Sequence, residues 1–228
     1  MPYQRSPLFH KHYEHYNLPP YGNFVEQNAV TIAQVEQYDR LIAERSGETV
    51  LDHYIRDNKE LLVNALDFVS TGHQGSWVFP QQQIKTALRG EGTGLIPDYL
   101  LCGKSSDGLA WWVVEFKGAD EQLFTTGKDG RVSFSATANK GILQLLEYID
   151  FCNEHQSTLR DQLKLTDFRE PRGMLVIGHE EELEGDERLR KLKAAWNRLV
   201  GGRLEIRTHD ALVRAARHKA EFHRNFGL

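Results

Sequence analysis

Apolar residues recur at intervals of three and four along the first third of the chain, a spacing that predicts helices. The first predicted helix covers about residues 26–45, and two shorter helical segments follow around residues 50–55 and 61–66. The apolar stripe of the first helix consists of Ile32, Val35, Tyr38, Leu41 and Ile42. The preceding stretch, through about residue 23, is rich in Tyr, His and Pro and predicts an arm rather than a domain.

Beyond residue 75 the spacing of apolar residues becomes that of β-strands. Strands are predicted at residues 77–79, 96–101 and 113–117. Residues 103–108, between the last two, are turn-forming, so these two strands should form an antiparallel hairpin. Residues 120–135, with two glycines and mixed charge, predict a loop or a short hairpin.

The second half of the chain alternates helices with strands. The pattern predicts a helix at residues 139–154, a buried strand at 173–178, a charged helix at 186–199 and a short strand at 204–206. Thr208 is placed to cap a last helix. The apolar stripe of the helix at 139–154 consists of Ile142, Leu145, Leu146, Ile149 and Cys152.

This order of elements predicts an α/β fold, a mixed sheet flanked by helices with an N-terminal helical extension. We divide the chain into an N-terminal arm and helix, residues 1–46, and a main domain, residues 47–228. The composition, 40% apolar and 26% charged, is ordinary for a globular protein. Without a long apolar run or a signal-like start, we expect a cytoplasmic protein that does not associate with membranes.

Two further features of the composition limit the function. Cys102 and Cys152 are too few for a disulfide framework, and no glycine pattern of a phosphate-binding loop is present, so no nucleotide cofactor is expected. The net charge is −4, yet residues 186–228 carry eleven Lys and Arg against five Asp and Glu. This basic stretch either binds a phosphate backbone or forms the solvated face of amphipathic helices.

The two strands of the predicted hairpin carry the candidate chemistry. Glu115 and Lys117 are two residues apart, so they project from the same face of their strand. The hairpin would bring Asp98 beside them. Two carboxylates and a lysine on one face can hold a divalent cation, Mg²⁺ or Mn²⁺, and orient a water molecule. The alternative is a solvent-facing salt bridge on an edge strand.

The helix at residues 139–154 adds a second group of candidates. Lys140, Gln144 and Tyr148 are spaced four apart and share one helix face, predicted to lie roughly opposite the centre of the apolar stripe. Gln144 could form a hydrogen bond with a phosphate, and Tyr148 could stack or donate. The alternative is an ordinary polar helix face that includes one tyrosine.

These residues resemble a known group of enzymes. Pro97-Asp98, followed after sixteen residues by Glu115-Phe116-Lys117, resembles the PD-(D/E)XK nuclease signature. Gln144 and Tyr148 resemble the QxxxY motif of its RecB-like branch. More narrowly, the chain resembles the C-terminal nuclease domain of Shedu antiphage defence proteins over about residues 47–215. The segments that carry this resemblance are residues 51–62, 96–101, 111–118 and 206–212.

The resemblance implies a restriction-endonuclease-like fold and a metal-dependent DNA endonuclease that acts in antiphage defence. It implies that Asp98 and Glu115 bind the metal, that Lys117 orients the attacking water and that Gln144 contributes from the second motif. An acid on an upstream helix often joins this site in the superfamily, and Glu48 and Glu60 are the candidates. Residues 57–60, however, also fit a helix-capping box, which would occupy Glu60 in the cap.

We expect DNA to be the partner of this site. The residues predicted to contact it are Lys140, Tyr148, Arg188, Lys191 and Lys193. Three histidines of the N-terminal arm are expected to be ordinary polar residues rather than metal ligands: His10, His12 and His15. We also expect a homo-oligomer, because a small domain would not fully cover the apolar stripe at Ile32, Val35, Leu41 and Ile42 and because an unrestricted nuclease would endanger its host.

Two other functions fit the same residues. One is a catalytically silent nucleic-acid-binding or assembly module that keeps the fold, and the other is a DNA-repair exonuclease that uses the same site. The presence of all four motif residue types, Asp, Glu, Lys and Gln, favours an enzyme over a silent module. The choice between internal and end cleavage, and between single- and double-stranded DNA, stays open at this point.

Overall fold

A six-stranded mixed sheet forms the centre of the computed structural model, which describes residues 17–26, 29–69, 72, 74–84 and 95–226. In chain order the strands of the described residues are β1 (Phe24–Val25), β2 (Gly75–Pro80), β3 (Tyr99–Ser105), β4 (Gly108–Phe116), β5 (Phe124–Thr126), β6 (Val132–Phe134), β7 (Arg172–Val176) and β8 (Leu204–Arg207). The central sheet has the order β1-β2-β3-β4-β7-β8, while β5 and β6 form a separate hairpin. The sheet is antiparallel from β1 to β4 and parallel from β4 through β7 to β8.

Helices cover both faces of this sheet, which confirms the predicted α/β class. In chain order the α-helices of the described residues are α1 (Ile32–Ala43), α2 (Glu48–Asp57), α3 (Lys59–Val63), α4 (Ala136–Glu154), α5 (Gln156–Leu163), α6 (Glu181–Glu184), α7 (Glu187–Leu199) and α8 (His209–Phe226). One hydrophobic cluster joins a sheet face to α1, α2, α3 and α8, and the other joins the opposite face to α4, α5 and the β5–β6 hairpin.

The β3–β4 hairpin is longer than its sequence predicts. Ser105 pairs with Gly108, so the turn consists of two residues rather than the six predicted at 103–108. Gly108 has a φ of +105°, which residues with a side chain rarely adopt, so a glycine suits this tight turn. At the other end of the hairpin, β3 begins at Tyr99, so residues 96–98 lie before β3 rather than within it. Trp112, Val114 and Phe116, which alternate with Glu115 along β4, all point into one apolar cluster.

Helix α1 starts at Ile32, six residues later than predicted. Thr31 and Gln34 form a capping box there, in which each side chain bonds to the backbone of the other residue. The apolar stripe of α1 packs into the same core as α8 of the same chain, with Val35 and Ile42 buried and Ile32 and Leu41 partly buried. The chain itself thus buries Val35 and Ile42 and partly covers the other two residues, so the stripe gives little support to a homo-oligomer, which stays a prediction.

The buried face of helix α4 differs from the predicted apolar stripe. Leu146 is 51% exposed, whereas Tyr148 and Phe151 are buried. The face that carries Tyr148 therefore borders the core instead of lying opposite it. The physical reason is tertiary, because Tyr148 packs against the segment before β3 and its hydroxyl donates to the Ile96 carbonyl at 3.2 Å.

Several further predicted elements are confirmed, whereas β1, α5 and α6 were not predicted from the sequence. The β5–β6 hairpin, the buried strand β7, the charged helix α7, the short strand β8 and the helix that begins after Thr208 are all present. Both cysteines are buried and free. Residues 1–16, which include the three histidines of the arm, lie outside the described residues, and the division at residue 46 stays a prediction. In the described part of the chain, no helix combines the length and apolarity that crossing a membrane requires.

Candidate active site

The carboxylate of Asp98 closes the open end of the β3–β4 hairpin. Asp98 lies immediately before β3, and its Oδ2 accepts a hydrogen bond from the backbone N–H of Phe116 at 2.7 Å. The last backbone pair of the hairpin is Tyr99 with Val114, and beyond it this side-chain hydrogen bond still links the two segments. It holds the acid beside Glu115 and Lys117, as the predicted hairpin required.

Glu115 and Lys117 form a buried ion pair on one face of this strand end. Glu115 is 3% exposed and Lys117 is 5% exposed, and Lys117 Nζ lies 2.8 Å from Glu115 Oε1. The alternative prediction, a solvent-facing salt bridge, is therefore wrong. The other oxygen of Glu115, Oε2, is buried and has no hydrogen-bond partner among the described residues. A buried carboxylate oxygen without a donor is energetically costly unless something else binds it.

Glu48, in the first turn of α2, is the upstream acid that reaches this pair. Its Oε2 lies 3.4 Å from Lys117 Nζ. Glu60 instead accepts a hydrogen bond from the side chain of Gln34. The predicted capping box at residues 57–60 is wrong, because α2 continues through Asp57 and the Asn58 cap position of α3 makes no side-chain capping bond.

Helix α4 brings the second predicted motif alongside. The Oε1 atom of Gln144 is buried without a hydrogen-bond partner in the described part of the chain. Burial, followed by the negative charge of Glu115, raises the pKa of Tyr148 to about 12. Lys140, one turn earlier than Gln144, is exposed. Lys140, at one end of this helix face, therefore lies in solvent, whereas Tyr148, at the other end, lies near Glu115 and Asp98.

The electrostatics of the site disfavour two ionised acids in the absence of a cation. Burial raises the pKa of Asp98 to about 6, although the Phe116 N–H and Lys117 oppose the shift. Burial and then the charge of Asp98 raise the pKa of Glu115 to about 7. Burial also disfavours the charged form of Lys117, but the hydrogen bond to Glu115 and the negative charges of Glu115, Glu48 and Asp98 together outweigh burial and raise the pKa of the ammonium. A positive ion near the two carboxylates would stabilise their ionised forms.

The side chains present fit a magnesium-type ion. Mg²⁺ prefers hard oxygen ligands and usually takes one or two carboxylates, with water and substrate oxygens in its other positions. Asp98 and Glu115 supply two carboxylates, and Glu115 Oε2 and Gln144 Oε1 are buried oxygens without partners. No group of three or more His, Cys, Asp or Glu side chains suited to a metal occurs within the described residues. A metal here would therefore depend on water and substrate as well.

Two buried networks beside the site were missed by sequence reasoning. Tyr99 donates to Asp52 Oδ1 at 2.6 Å, and Asp52 also pairs with Arg56. His209 lies 2.7 Å from both the Tyr38 hydroxyl and the Lys117 carbonyl. Only the similarity of residues 206–212 to the Shedu segment marked His209 in the sequence, and nothing distinguished Tyr38 from its apolar neighbours.

The predicted DNA contacts on α7 do not share one surface. Arg188 is exposed and donates to the Gly130 carbonyl at 3.0 Å, and Lys191 is exposed and pairs with Glu187 at 3.0 Å. Lys193 is half-buried on another side of the helix, where burial and the nearby Arg207 lower the pKa of its ammonium.

The site and the sheet together define a nuclease-like α/β protein, in which two acids and a lysine meet where an antiparallel hairpin adjoins a parallel strand pair. The family model described as Shedu protein SduA, C-terminal, matches residues 30–213. The chain therefore belongs to the Shedu family, which implies a role in antiphage defence. The match begins just before α1, earlier than the resemblance noted from residue 47. A search of curated proteins gives no match.

Proposed function

We propose that this protein is a divalent-metal-dependent DNA endonuclease that acts in antiphage defence. The observation that carries the proposal is the group formed by half-buried Asp98 with buried Glu115 and Lys117, in which one oxygen of Glu115 has no partner among the described residues. Membership of the Shedu family supports the same function. Burying ionisable groups is energetically costly, and such groups cluster at catalytic sites, where their chemistry is used.

Each side chain has a role in this proposal. Asp98 and Glu115 hold Mg²⁺ or Mn²⁺, which, when bound, neutralises charge on the phosphate and makes a water molecule more acidic. Lys117 stays protonated because Glu115 and Glu48 flank its ammonium, so it can donate hydrogen bonds to the attacking water or to a phosphate oxygen. Gln144 supplies an amide beside the same space, where it can bind a water or a phosphate oxygen.

The exposure of each predicted DNA-contacting residue reduces the number of residues that we propose to bind DNA. Lys140, Arg188 and Lys191 are exposed and can approach a phosphate backbone. Tyr148 is only 7% exposed and its hydroxyl donates to the Ile96 carbonyl, so we assign it a supporting role beside Asp98 rather than stacking on a base. Lys193, being half-buried, contributes less to DNA binding than the other two basic residues of α7.

The buried acids argue against the rival function of a catalytically silent module. In a silent module, apolar residues at Glu115 and Lys117 would fill the same buried space without a desolvation cost. The presence of the acids together with Lys117 and Gln144 favours catalysis. A DNA-repair exonuclease would keep the same four residues and is distinguished by its substrate.

The test uses supercoiled plasmid and linear duplex DNA, each with Mg²⁺, Mn²⁺ or EDTA. Metal-dependent nicking or cutting of the plasmid is expected, and loss of linear DNA alone would point to the exonuclease. DNA binding without cleavage under every metal condition would favour the silent module. Glu115→Gln serves as the inactive control, and Glu147→Gln, an exposed acid on α4, serves as the matched active control.

A further inference from the structure

The carbonyl of Lys117 lies one residue beyond the end of β4, next to the segment that continues β7. The Lys117 N–H still bonds to the Val176 carbonyl at 2.8 Å, and the Gly118 carbonyl accepts from Gly178 N–H at 3.1 Å. The Lys117 carbonyl instead lies 2.7 Å from Nε2 of His209, the first residue of α8. This one imidazole therefore takes the place of a strand partner beside the lysine of the site.

The chemistry of the partners determines the direction of these hydrogen bonds. A backbone carbonyl can only accept, so Nε2 of His209 must carry the proton. Burial lowers the pKa of His209 to about 4, so the ring is neutral and Nδ1 is an acceptor. The Tyr38 hydroxyl, 2.7 Å from Nδ1, therefore donates. Burial and then the charge of Asp210 raise the pKa of Tyr38, which keeps this hydroxyl protonated.

The imidazole is also fixed by packing. His209 is 0% exposed, and the Phe116 and Tyr38 rings both meet it edge-on, with centroids 5.6 and 6.0 Å away. Its backbone N–H donates to the Gly178 carbonyl at 3.2 Å. Three distant segments, α1, the end of β4 and the start of α8, thus meet at one ring.

We propose that His209, oriented by Tyr38, is a positioning residue of the active site. It holds the Lys117 peptide and so sets the direction from which the ammonium reaches Glu115, while touching neither acid itself. The inference rests on the proposed nuclease function and extends it to α1, which lies outside the main domain predicted from the sequence. Small displacements of a catalytic group can cost a large part of the rate, so loss of this bond should slow cleavage without weakening substrate binding.

Two substitutions of His209 distinguish a role in positioning Lys117 from a role in filling the core. The His209→Gln side chain can place an amide N–H near the Nε2 position, whereas the shorter side chain of His209→Asn reaches the Nδ1 position and leaves the Lys117 carbonyl without a donor. Both variants introduce a buried amide and remove the imidazole. Tyr38→Phe removes only the hydroxyl that orients the ring. His155→Asn is the control, because His155 Nδ1 also lies beside a backbone carbonyl, that of Phe151 at 3.0 Å.

The measurements are single-turnover cleavage at saturating metal and DNA, DNA affinity in Ca²⁺, the Mg²⁺ dependence of the rate, and thermal stability. We expect His209→Asn to lower the cleavage rate about 100-fold, and His209→Gln and Tyr38→Phe about 10-fold or less, with DNA and metal affinity within about twofold of the wild type. His155→Asn should cleave at the wild-type rate. Equal rates for His209→Asn and wild type would overturn the inference, as would a loss of binding and stability that matches the loss of rate.

A measurement that does not depend on catalysis tests this inference independently of the proposed function. Long-range ¹⁵N–¹H NMR of the metal-free full chain should show His209 as the neutral Nε2–H tautomer at pH 7, and Tyr38→Phe should shift its Nδ1 resonance. A wild-type protein that cleaves no DNA would refute the nuclease function, and the NMR result would still decide the hydrogen-bond chain. The Nδ1–H tautomer, or a charged imidazolium, would refute the positioning role even in an active enzyme.

Discussion

Lys117 Nζ lies 2.8 Å from Glu115 Oε1, while Oε2 of the same carboxylate is buried without a hydrogen-bond partner among the described residues. One side of Glu115 therefore orients the lysine, and the other side is available to a ligand. This division of one carboxylate between two tasks explains why an acid and a lysine are placed two residues apart on a strand. It also determines what substitutions at this site should do.

Removal of either acid should abolish cleavage and affect stability differently. Glu115→Ala and Glu115→Gln should reduce cleavage at least about 1000-fold and keep or raise the melting temperature without metal, because they remove the repulsion between Glu115 and Asp98 while Asp98 and Glu48 still balance the Lys117 ammonium. Asp98→Ala should be equally inactive but less stable than Asp98→Asn, since alanine leaves the Phe116 N–H without its acceptor. Cleavage assays and thermal melts check both. Wild-type cleavage by any of these variants would contradict the site assignment.

Replacement of Lys117 should separate rate from binding. Lys117→Ala should cleave at least about 100-fold more slowly while retaining DNA and metal binding, because it removes a donor to the reacting groups. Lys117→Arg should not restore the rate, since a planar guanidinium does not fit where a compact ammonium bonds Glu115 and Glu48. Full activity of the arginine variant in single-turnover assays would instead indicate a purely electrostatic role.

A double-variant cycle measures the buried ion pair itself. Lys117→Met alone should destabilise the protein by about 3 kcal/mol above pH 8, because it leaves the Glu115 charge buried and uncompensated. Adding Glu115→Gln should recover most of that loss. Denaturant unfolding of the two single variants and the double variant gives the coupling. Additive losses would mean that the two side chains do not interact in solution.

The stability of the metal-free protein should fall as the pH rises from about 4 to about 7. The folded-state pKa values of Asp98 and Glu115, about 6 and about 7, exceed their ordinary values of about 4. In that window the folded state binds more protons than the unfolded state, so the slope of unfolding free energy against pH is negative. Mg²⁺ should stabilise the protein more at pH 8 than at pH 5, and Asp98→Asn/Glu115→Gln should flatten the profile. Melting temperatures across this range, with and without Mg²⁺, provide the check.

Charge reversal on α7 tests the proposed DNA contacts. Arg188→Glu and Lys191→Glu should weaken binding of every DNA sequence and reduce the slope of log affinity against log salt by about 1 each, because fewer counterions are released. Lys193→Gln should change affinity less, given its half-buried position. Arg203→Glu is the control, since Arg203 is exposed next to the start of β8, at the other end of the parallel strands from Lys117. Unchanged affinity in both glutamate variants of α7 would exclude this face.

The local pattern of the sequence determined the type of an element and the direction in which its side chains point. The period of two on β4 alone placed Glu115 and Lys117 on one face and Phe116 on the other. The run of charged and apolar residues likewise identified α7 as a helix. These predictions held because side-chain direction in a strand or helix repeats with a period that neighbouring residues set.

Tertiary structure decided which elements meet. It selected Glu48 rather than Glu60 as the acid near Lys117, and it turned Tyr148 toward the buried acids. Tyr38 and His209 are 171 residues apart in sequence and 2.7 Å apart in space. No local periodicity encodes such a contact, because it results from the packing of α1 and α8 on one sheet face, where the burial of many apolar side chains together determines the distance between two polar atoms.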